Sequence, residues 1–465
     1  MLGFLLAATA AAVLYALTAF YPPQSEDWVH LEILGAQESW LAAFDLPVSH
    51  SRPIWFLSLW WMLPEGFDHP ERIRAVLFAM HAVIAGLVGV LARSLGASPR
   101  RALLTVALFL CFPAVKGLAW LLAISTPEHV MLMLVALIAT VEHVRRPRAA
   151  TGVLLLAAQV LAVASHSAAA FLPFCVAVMA TATSPRGWRV LFDRWLTAEL
   201  LVGCGLVLLL ASLPATDRHH TLRGLSAMAA NGARALLSLW PEALRGPAIE
   251  GLRSAHGIGG LVFGLALCTL TAVAVTWVMW RADKVVRALV LVALIDLAPP
   301  ILTAGFVIRY AYFPAAMLSI ALLLRARPAP RWVVPIALLA VGWLYDTAVD
   351  VAETRAGGRI GIAVVESARA VRQEVGPGVQ VTLVDAPGEV GAERDVPVFN
   401  WGLAIALRRQ GVQGPWRIVR THDFMTNTDV EKVDEATVQT LAARGHQVRR
   451  WDPATERYVR VGAPK

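Results

Sequence analysis

Residues 151–184 read TGVLLLAAQVLAVASHSAAAFLPFCVAVMATATS, an apolar stretch with one polar interruption at Ser165-His166-Ser167. Its 34 residues are too many for a single membrane span, which needs about 20 residues, and enough for two short spans. The interruption therefore predicts two membrane helices, over about 151–165 and 168–183.

The composition of the whole chain agrees with this segment. Of its 465 residues, 57% are hydrophobic and only 16% are charged, and the mean hydropathy is +0.60. Soluble domains are about 25% charged, so a soluble enzyme, a disordered chain and a disulfide-stapled secreted domain are all excluded. About 11 spans are predicted. Besides the two above, the apolar runs cover residues 2–20, 73–92, 102–122, 127–144, 196–213, 257–280, 285–305, 310–324 and 332–349.

The net charge of +8 is placed as in a membrane protein rather than a nucleic-acid-binding one. Five alternate loops between the spans hold fifteen basic residues and only two acidic ones, Asp193 and Asp283. Short cytoplasmic loops are enriched in Lys and Arg. The charges therefore predict a multi-pass membrane protein with its N-terminus inside and its C-terminal segment outside. The basic residues are Arg93, Arg100, Arg101, Arg145, Arg146, Arg148, Arg186, Arg189, Arg194, Arg281, Lys284, Arg287, Arg325, Arg327 and Arg331.

Three parts of the chain are predicted to lie outside the membrane: residues 21–74, 214–256 and the segment after about residue 350. Within the first, the apolar residues 53–63 are too few for a span and predict a re-entrant or interfacial helix. After residue 350, helix-like and strand-like patterns alternate, which is typical of a small α/β domain. We predict an α-helical polytopic membrane domain over residues 1–350 and an extracytoplasmic α/β domain over residues 351–465.

Ionisable side chains inside apolar runs are costly and need a reason. His81 has an alternative role in an interhelical hydrogen bond, and snorkelling to lipid headgroups explains several of the others equally well. Asp296, about a dozen residues into a span, is predicted to face a cavity. The candidates are His81, Lys116, Glu128, His129, His166 and Asp296.

The first outer loop contains the adjacent carboxylates Glu26 and Asp27, directly after a Pro-Pro turn. Such carboxylates can bind a metal or deprotonate a hydroxyl group, although outer loops are in any case depleted of basic residues. Arg52 and Arg309 lie at outer ends of apolar segments, and arginine suits the recognition of phosphate. We expect an aqueous loop, in which Asp27→Asn changes folding little.

Short motifs in chain order resemble those of GT-C type integral-membrane glycosyltransferases, and most closely the bacterial relatives of the transmembrane O-mannosyltransferases. Three positions depart from the pattern of these relatives: Lys116 and Ile308 each stand where a Glu is usual, and His166-Ser167 replaces Lys-Glu. The matching segments are SEDW (25–28), SRPIWFLSLWW (51–61), FAMHAVIAGLV (78–88), FPAVKGLAWL (112–121), SHSAAAFLP (165–173), IRYAYFP (308–314), VTLVDAPGE (381–389) and VFNWGLAIALR (398–408).

This resemblance implies a GT-C-like fold in the bacterial cytoplasmic (inner) membrane. It also implies the transfer, with inversion, of a sugar from a polyprenyl-phosphate carrier. The acceptor, a glycan, lipid or protein, would lie on the outer side. Asp27 would be the general base or a metal ligand, with Glu26 as its neighbour. Arg309, Arg52 and Tyr310 would hold the donor phosphate. A divalent metal at Asp27 and Glu26 stays open as a cofactor.

Two other classes of function stay open at the level of the sequence. A lipid or solute transporter would also carry polar groups at mid-membrane, but such carriers more often show paired halves, and none are recognisable here. A non-catalytic membrane scaffold that presents the α/β domain is the third alternative.

Overall fold

The computed structural model describes most of the chain, and every structural statement below refers to that part. The described residues are 2–18, 21–23, 26–37, 39, 52–66, 69–119, 121–212, 224–253, 258–304, 308–324, 330–390, 396–399, 402–421 and 430–462.

The described part is predominantly helical. Short 3-10 or π segments cover Leu121–Ile124, Ser167–Phe171, Gly187–Phe192, Pro300–Ala304 and Ile308–Ala311. The α-helices are α1 (Leu2–Thr18), α2 (Glu26–Gly35), α3 (Pro53–Gly66), α4 (Pro70–Ser94), α5 (Pro99–Leu110), α6 (Val115–Ala119), α7 (Ser125–Arg145), α8 (Ala149–Ser165), α9 (Leu172–Thr183), α10 (Arg194–Ser212), α11 (Leu225–Leu237), α12 (Glu242–Arg253), α13 (Ile258–Arg281), α14 (Lys284–Pro299), α15 (Tyr312–Leu324), α16 (Pro330–Val375), α17 (Leu403–Arg409) and α18 (Glu435–Ala443).

The predicted fold class, a polytopic helical membrane protein with a small α/β domain, is confirmed. Five helical segments are long and apolar enough to cross a membrane, and four shorter apolar ones accompany them. The largest hydrophobic core draws buried side chains from α1, α4, α5, α7, α8, α9, α14 and α15. The five long segments are Pro70–Ser94, Ser125–Arg145, Val262–Arg281, Lys284–Leu302 and Val333–Val375.

The interruption that divides residues 151–184 is also confirmed. Helix α8 ends at Ser165, and His166 has extended backbone angles, with φ −157° and ψ 131°. The Nδ1 atom of His166 accepts a hydrogen bond from the amide of Ala168, 3.0 Å away, at the start of the next helical segment. The polar side chain therefore satisfies an orphan amide at the point where the chain turns.

Two apolar runs fold differently from the prediction. The run over residues 102–122 is not one helix: α5 ends at Leu110, because Pro113 cannot donate a backbone hydrogen bond and disfavours helical geometry before it. The run over residues 332–349 continues without a break to Val375, where Gly376 and Pro377 follow. Helix α16 has 46 residues, so it is about 69 Å long. The predicted domain border at residue 350 falls inside it.

The α/β domain is built on a five-stranded sheet with the order β5-β4-β1-β6-β7. Strand β1 pairs in parallel with β4 and β6, β4 pairs in parallel with β5, and β7 is antiparallel to β6. The alternation predicted from the sequence is confirmed, whereas β5 and β7 were not predicted. The strands are β1 (Val381–Val384), β2 (Glu389–Val390), β3 (Val396–Pro397), β4 (Trp416–Arg420), β5 (Glu431–Lys432), β6 (Gln447–Asp452) and β7 (Arg457–Arg460).

The first loop and the α/β domain touch each other. Trp28 of α2 is 1% exposed and belongs to the hydrophobic core of the α/β domain, together with Phe399 and Leu403. A Cβ atom added to Gly358 of α16 would lie 2.1 Å from Cδ1 of Tyr21, so only glycine permits this approach. Helix α2 and the α/β domain therefore lie at the same end of the helix bundle.

Candidate functional site

Asp27 is buried beside a cation. Its exposed fraction is 0%, and that of Arg74 on α4 is 1%. The Arg74 guanidinium lies within electrostatic range of the Asp27 carboxylate. Arg74 also donates hydrogen bonds to the carbonyl of Tyr21 and, at 3.0 Å, to that of Pro22. The expectation that Asp27 lies in an aqueous loop is wrong, because α2 is covered by the bundle on one side and the α/β domain on the other.

A second polar cluster lies at the same end of the bundle. The imidazole rings of His129 and His166 are tilted against each other with their centroids 4.8 Å apart, and Tyr310 packs edge-on against His166 at 6.0 Å. Arg52 acts electrostatically on His129 from the start of α3. We call these four residues the histidine cluster. All four are predicted candidates, although they are far apart in the sequence.

Glu128 lies next to the histidine cluster in the first turn of α7. The hydroxyl group of Ser58 on α3 donates a hydrogen bond to its Oε1 atom. Its Oε2 atom is buried and has no hydrogen-bond partner among the described residues. Because Glu128 and His129 are only 7% and 4% exposed, their burial argues against the alternative that both snorkel to lipid headgroups.

Aromatic and aliphatic contacts join the segments that carry these groups. The ring of Trp55 on α3 lies 6.0 Å from that of His30 on α2, and the guanidinium of Arg52 lies 5.9 Å from the Trp55 ring centre. Leu34 of α2 and Ile124, just before α7, pack in the same small core as Trp55. Helix α2, which carries Asp27, is thus packed directly against α3, the helix that begins next to Arg52 of the histidine cluster.

Two predicted candidates lie elsewhere. His81 is hydrogen-bonded to the hydroxyl of Tyr312 and stacks on its ring at 5.7 Å, within the main core. This is the interhelical hydrogen bond that the sequence left as an alternative. Asp296 of α14 is 4% exposed and lies within electrostatic range of Cys175 on α9.

Three candidates cannot be placed by their side chains. Glu26 is the first residue of α2, Lys116 belongs to α6, and Arg309 precedes Tyr310 in a 3-10 segment. The side chains of all three lie outside the described residues.

Sequence reasoning missed Arg74 and Ser58. Arg74 lies at the start of an apolar run, on the side predicted to be outer, where basic residues are unusual. An arginine at the outer end of an apolar segment was the signal that could have identified Arg74, as it identified Arg52 and Arg309. Ser58 is the one polar residue within residues 53–63, but nothing in the sequence indicates its partner Glu128.

No group of three or more His, Cys, Asp and Glu side chains that could hold a metal ion occurs in the described part of the chain. Asp27 lies within electrostatic range of the Arg74 guanidinium.

No family model and no curated protein matches this sequence. Among solved structures, the chain is similar to ArnT from Cupriavidus metallidurans, which was crystallised with bound undecaprenyl phosphate. The two chains are 14% identical, the match covers 97% of this chain and 93% of that one, and the TM-score is 0.49. The bound lipid is a property of that protein.

Proposed function

We propose that this membrane protein transfers a sugar from a polyprenyl-phosphate carrier to an acceptor hydroxyl group at the α2 end of the helix bundle. The acceptor oxygen loses its proton to a carboxylate and attacks the anomeric carbon. The bond from that carbon to the phosphate oxygen breaks, and polyprenyl phosphate leaves with the electron pair. A single displacement of this kind inverts the anomeric centre.

One observation carries the proposal. A buried carboxylate, Asp27, and a cluster of cationic and hydrogen-bonding side chains around Arg52 and His129 gather at one end of a membrane-helix bundle. They come from separate segments of the chain, and polar groups are costly to bury in such a bundle. A lipid-linked phosphate and an acceptor that loses a proton need this combination of groups.

Asp27 is assigned the role of general base. Arg74 lies within electrostatic range of Asp27, and a nearby positive charge favours the carboxylate form that accepts a proton. Proton transfer to such a positioned group contributes about 10²–10⁴-fold to a rate. Glu26 is assigned as its neighbour, as the motif resemblance implies.

The histidine cluster is assigned to the donor phosphate. Arg52 has a planar fork of donors that can bind two phosphate oxygens at once. Together with Arg309, it would stabilise the charge that develops on the leaving phosphate. Tyr310 and the paired imidazoles of His129 and His166 add hydrogen-bonding groups at the same place.

Glu128 is the second candidate for the general base. Its Oε2 atom lacks a hydrogen-bond partner among the described residues, and its other oxygen is held by Ser58. A fixed carboxyl group with one unused oxygen can accept a proton. The transfer rates of the Asp27→Asn and Glu128→Gln variants separate these two assignments.

The donor-phosphate role of Arg52 gives a prediction. Arg52→Lys keeps the charge but loses the planar fork, so the KM for the lipid-linked donor should rise about tenfold, which corresponds to about 1.4 kcal/mol. Arg52→Ala should raise it further. The measurement is initial transfer rate against donor concentration in vesicles that contain the purified variants.

Arg145→Lys is the matched control, because Arg145 is an exposed arginine at the opposite end of α7. It should leave the KM for the donor unchanged. Wild-type donor kinetics in both Arg52 variants would contradict the phosphate role and leave Arg52 as an interfacial anchor.

A further inference from the structure

One carboxylate on the helix that carries Asp27 binds two arginines of the α/β domain. Glu32 of α2 accepts a 2.7 Å hydrogen bond from Nη2 of Arg408 at its Oε1 atom. Its Oε2 atom accepts hydrogen bonds from Nε and Nη2 of Arg409, at 3.0 and 2.7 Å. Both arginines end helix α17 of the α/β domain, so one side chain joins two elements that are more than 370 residues apart. We call this contact the Glu32 clamp.

Glu32 lies on the same face of α2 as the buried Trp28. Trp28 and Glu32 are four residues apart, which places them one above the other on a helix. Trp28 inserts into the core of the α/β domain beside Phe399 and Leu403. This face of α2 therefore contacts the α/β domain twice, through the apolar side chain of Trp28 and through the ion pairs of Glu32.

The side of α2 that carries Leu31 and Leu34 packs on the membrane bundle. Leu31 belongs to the same small core as Ile73 of α4, and Leu34 packs with Trp55 and Ile124. Helix α2 is therefore held between two bodies, and its rotation about its own axis is set by contacts on both sides. Asp27 directly precedes Trp28, so a rotation of α2 moves the Asp27 carboxylate relative to Arg74.

We propose that the Glu32 clamp positions Asp27, and that the α/β domain is in this way a working part of the transfer site. This inference rests on the proposed function. The clamp does not touch the reacting groups, so Glu32, Arg408 and Arg409 are positioning residues. Displacement of a catalytic group by about 1 Å can slow a reaction by as much as about 10²-fold.

The proposal predicts a specific kinetic pattern. Glu32→Gln should lower kcat for sugar transfer about tenfold, since the base is misplaced. The KM for the lipid-linked donor should stay the same, because none of the groups assigned to the donor phosphate is part of the clamp. Arg409→Glu should have the same effect, and adding Glu32→Arg to that variant should restore much of kcat.

Glu431→Gln is the matched control. Glu431 on β5 forms an equally forked pair with Arg417, through hydrogen bonds of 2.9 and 2.8 Å, at the far edge of the sheet from β6 and β7. Its loss should leave kcat unchanged, although it disturbs two guanidinium hydrogen bonds, against three at Glu32.

Hydrogen exchange of the α2 amides in the full-length protein gives a second measurement that needs no activity. Glu32→Gln should speed exchange over residues 28–35 and leave the amides of α7 as in wild type, and the charge-swapped variant should restore protection. An active wild type whose Glu32→Gln variant keeps both its kcat and its α2 protection would overturn the clamp and leave the proposed function intact. A wild type that uses no polyprenyl-phosphate sugar would overturn the proposed function, and with it the role of the clamp in transfer.

Discussion

Replacing Asp27 by asparagine is expected to slow sugar transfer by about 10²–10⁴-fold, because the variant retains the shape of the side chain but cannot take up the acceptor proton. The charge that it removes also lies within electrostatic range of Arg74 inside the protein. The variant should therefore be less stable than wild type, unlike a substitution in an aqueous loop. Transfer is measured in membranes that hold equal amounts of folded wild type and variant.

Glu128→Gln is the comparison that locates the base. If Asp27 is the base, Glu128→Gln should slow transfer less than Asp27→Asn does. If Asp27→Asn retains full transfer while Glu128→Gln loses it, the base is Glu128 and the assignment of Asp27 is wrong. Comparable damage from both variants would mean that the two carboxyl groups act together.

Arg74→Met is expected to destabilise the protein by about 3–5 kcal/mol, because it leaves the buried Asp27 carboxylate without the cation that faces it. It also removes the donors that hold the carbonyl groups of Tyr21 and Pro22, where the chain enters α2. A buried carbonyl group that loses its partner adds to the cost. The measurement is thermal unfolding of the purified protein in detergent.

Arg145→Met serves as the control, since Arg145 is 47% exposed and pairs only loosely with Glu142, at 3.7 Å. Such a pair is worth about 0–1 kcal/mol. The double variant Asp27→Asn/Arg74→Met should be less destabilised than the sum of the two single variants, because each single change already removes their mutual attraction. Additive effects would show that Asp27 and Arg74 do not interact.

The periodic features of the fold were predictable from the sequence. Apolar runs of span length marked the membrane helices, and the polar triplet Ser165-His166-Ser167 marked the border between α8 and α9. The alternation of helical and strand patterns after residue 350 marked the α/β domain. These features depend on local composition and spacing, which the sequence displays directly.

Continuity and burial were not predictable in the same way. No proline lies between Pro335 and Pro377, which permits the long helix α16. The apolar pattern ends near residue 349, so the predicted membrane span ended there as well. A proline within the apolar run over residues 102–122 had the opposite effect, because Pro113 ends a helix that hydropathy alone extends.

The site was predictable in its parts but not in its assembly. Arg52, Glu128, His166 and Tyr310 stand out as ionisable or polar residues beside membrane segments. Their gathering depends on packing between segments that are distant in the chain. The contact of Glu32 with Arg408 and Arg409 spans most of the chain, and no local pattern reveals it.

Sugar transfer itself is tested by asking whether the purified full-length protein consumes a polyprenyl-phosphate sugar. The protein is placed in vesicles with a labelled donor and an extract of bacterial envelope glycans, lipids and proteins as acceptors. Wild type is expected to release polyprenyl phosphate and to label an acceptor. Asp27→Asn is expected to do so at least about 10²-fold more slowly. If wild type leaves every polyprenyl-phosphate sugar unconsumed, the enzyme assignment is contradicted and the scaffold alternative gains support.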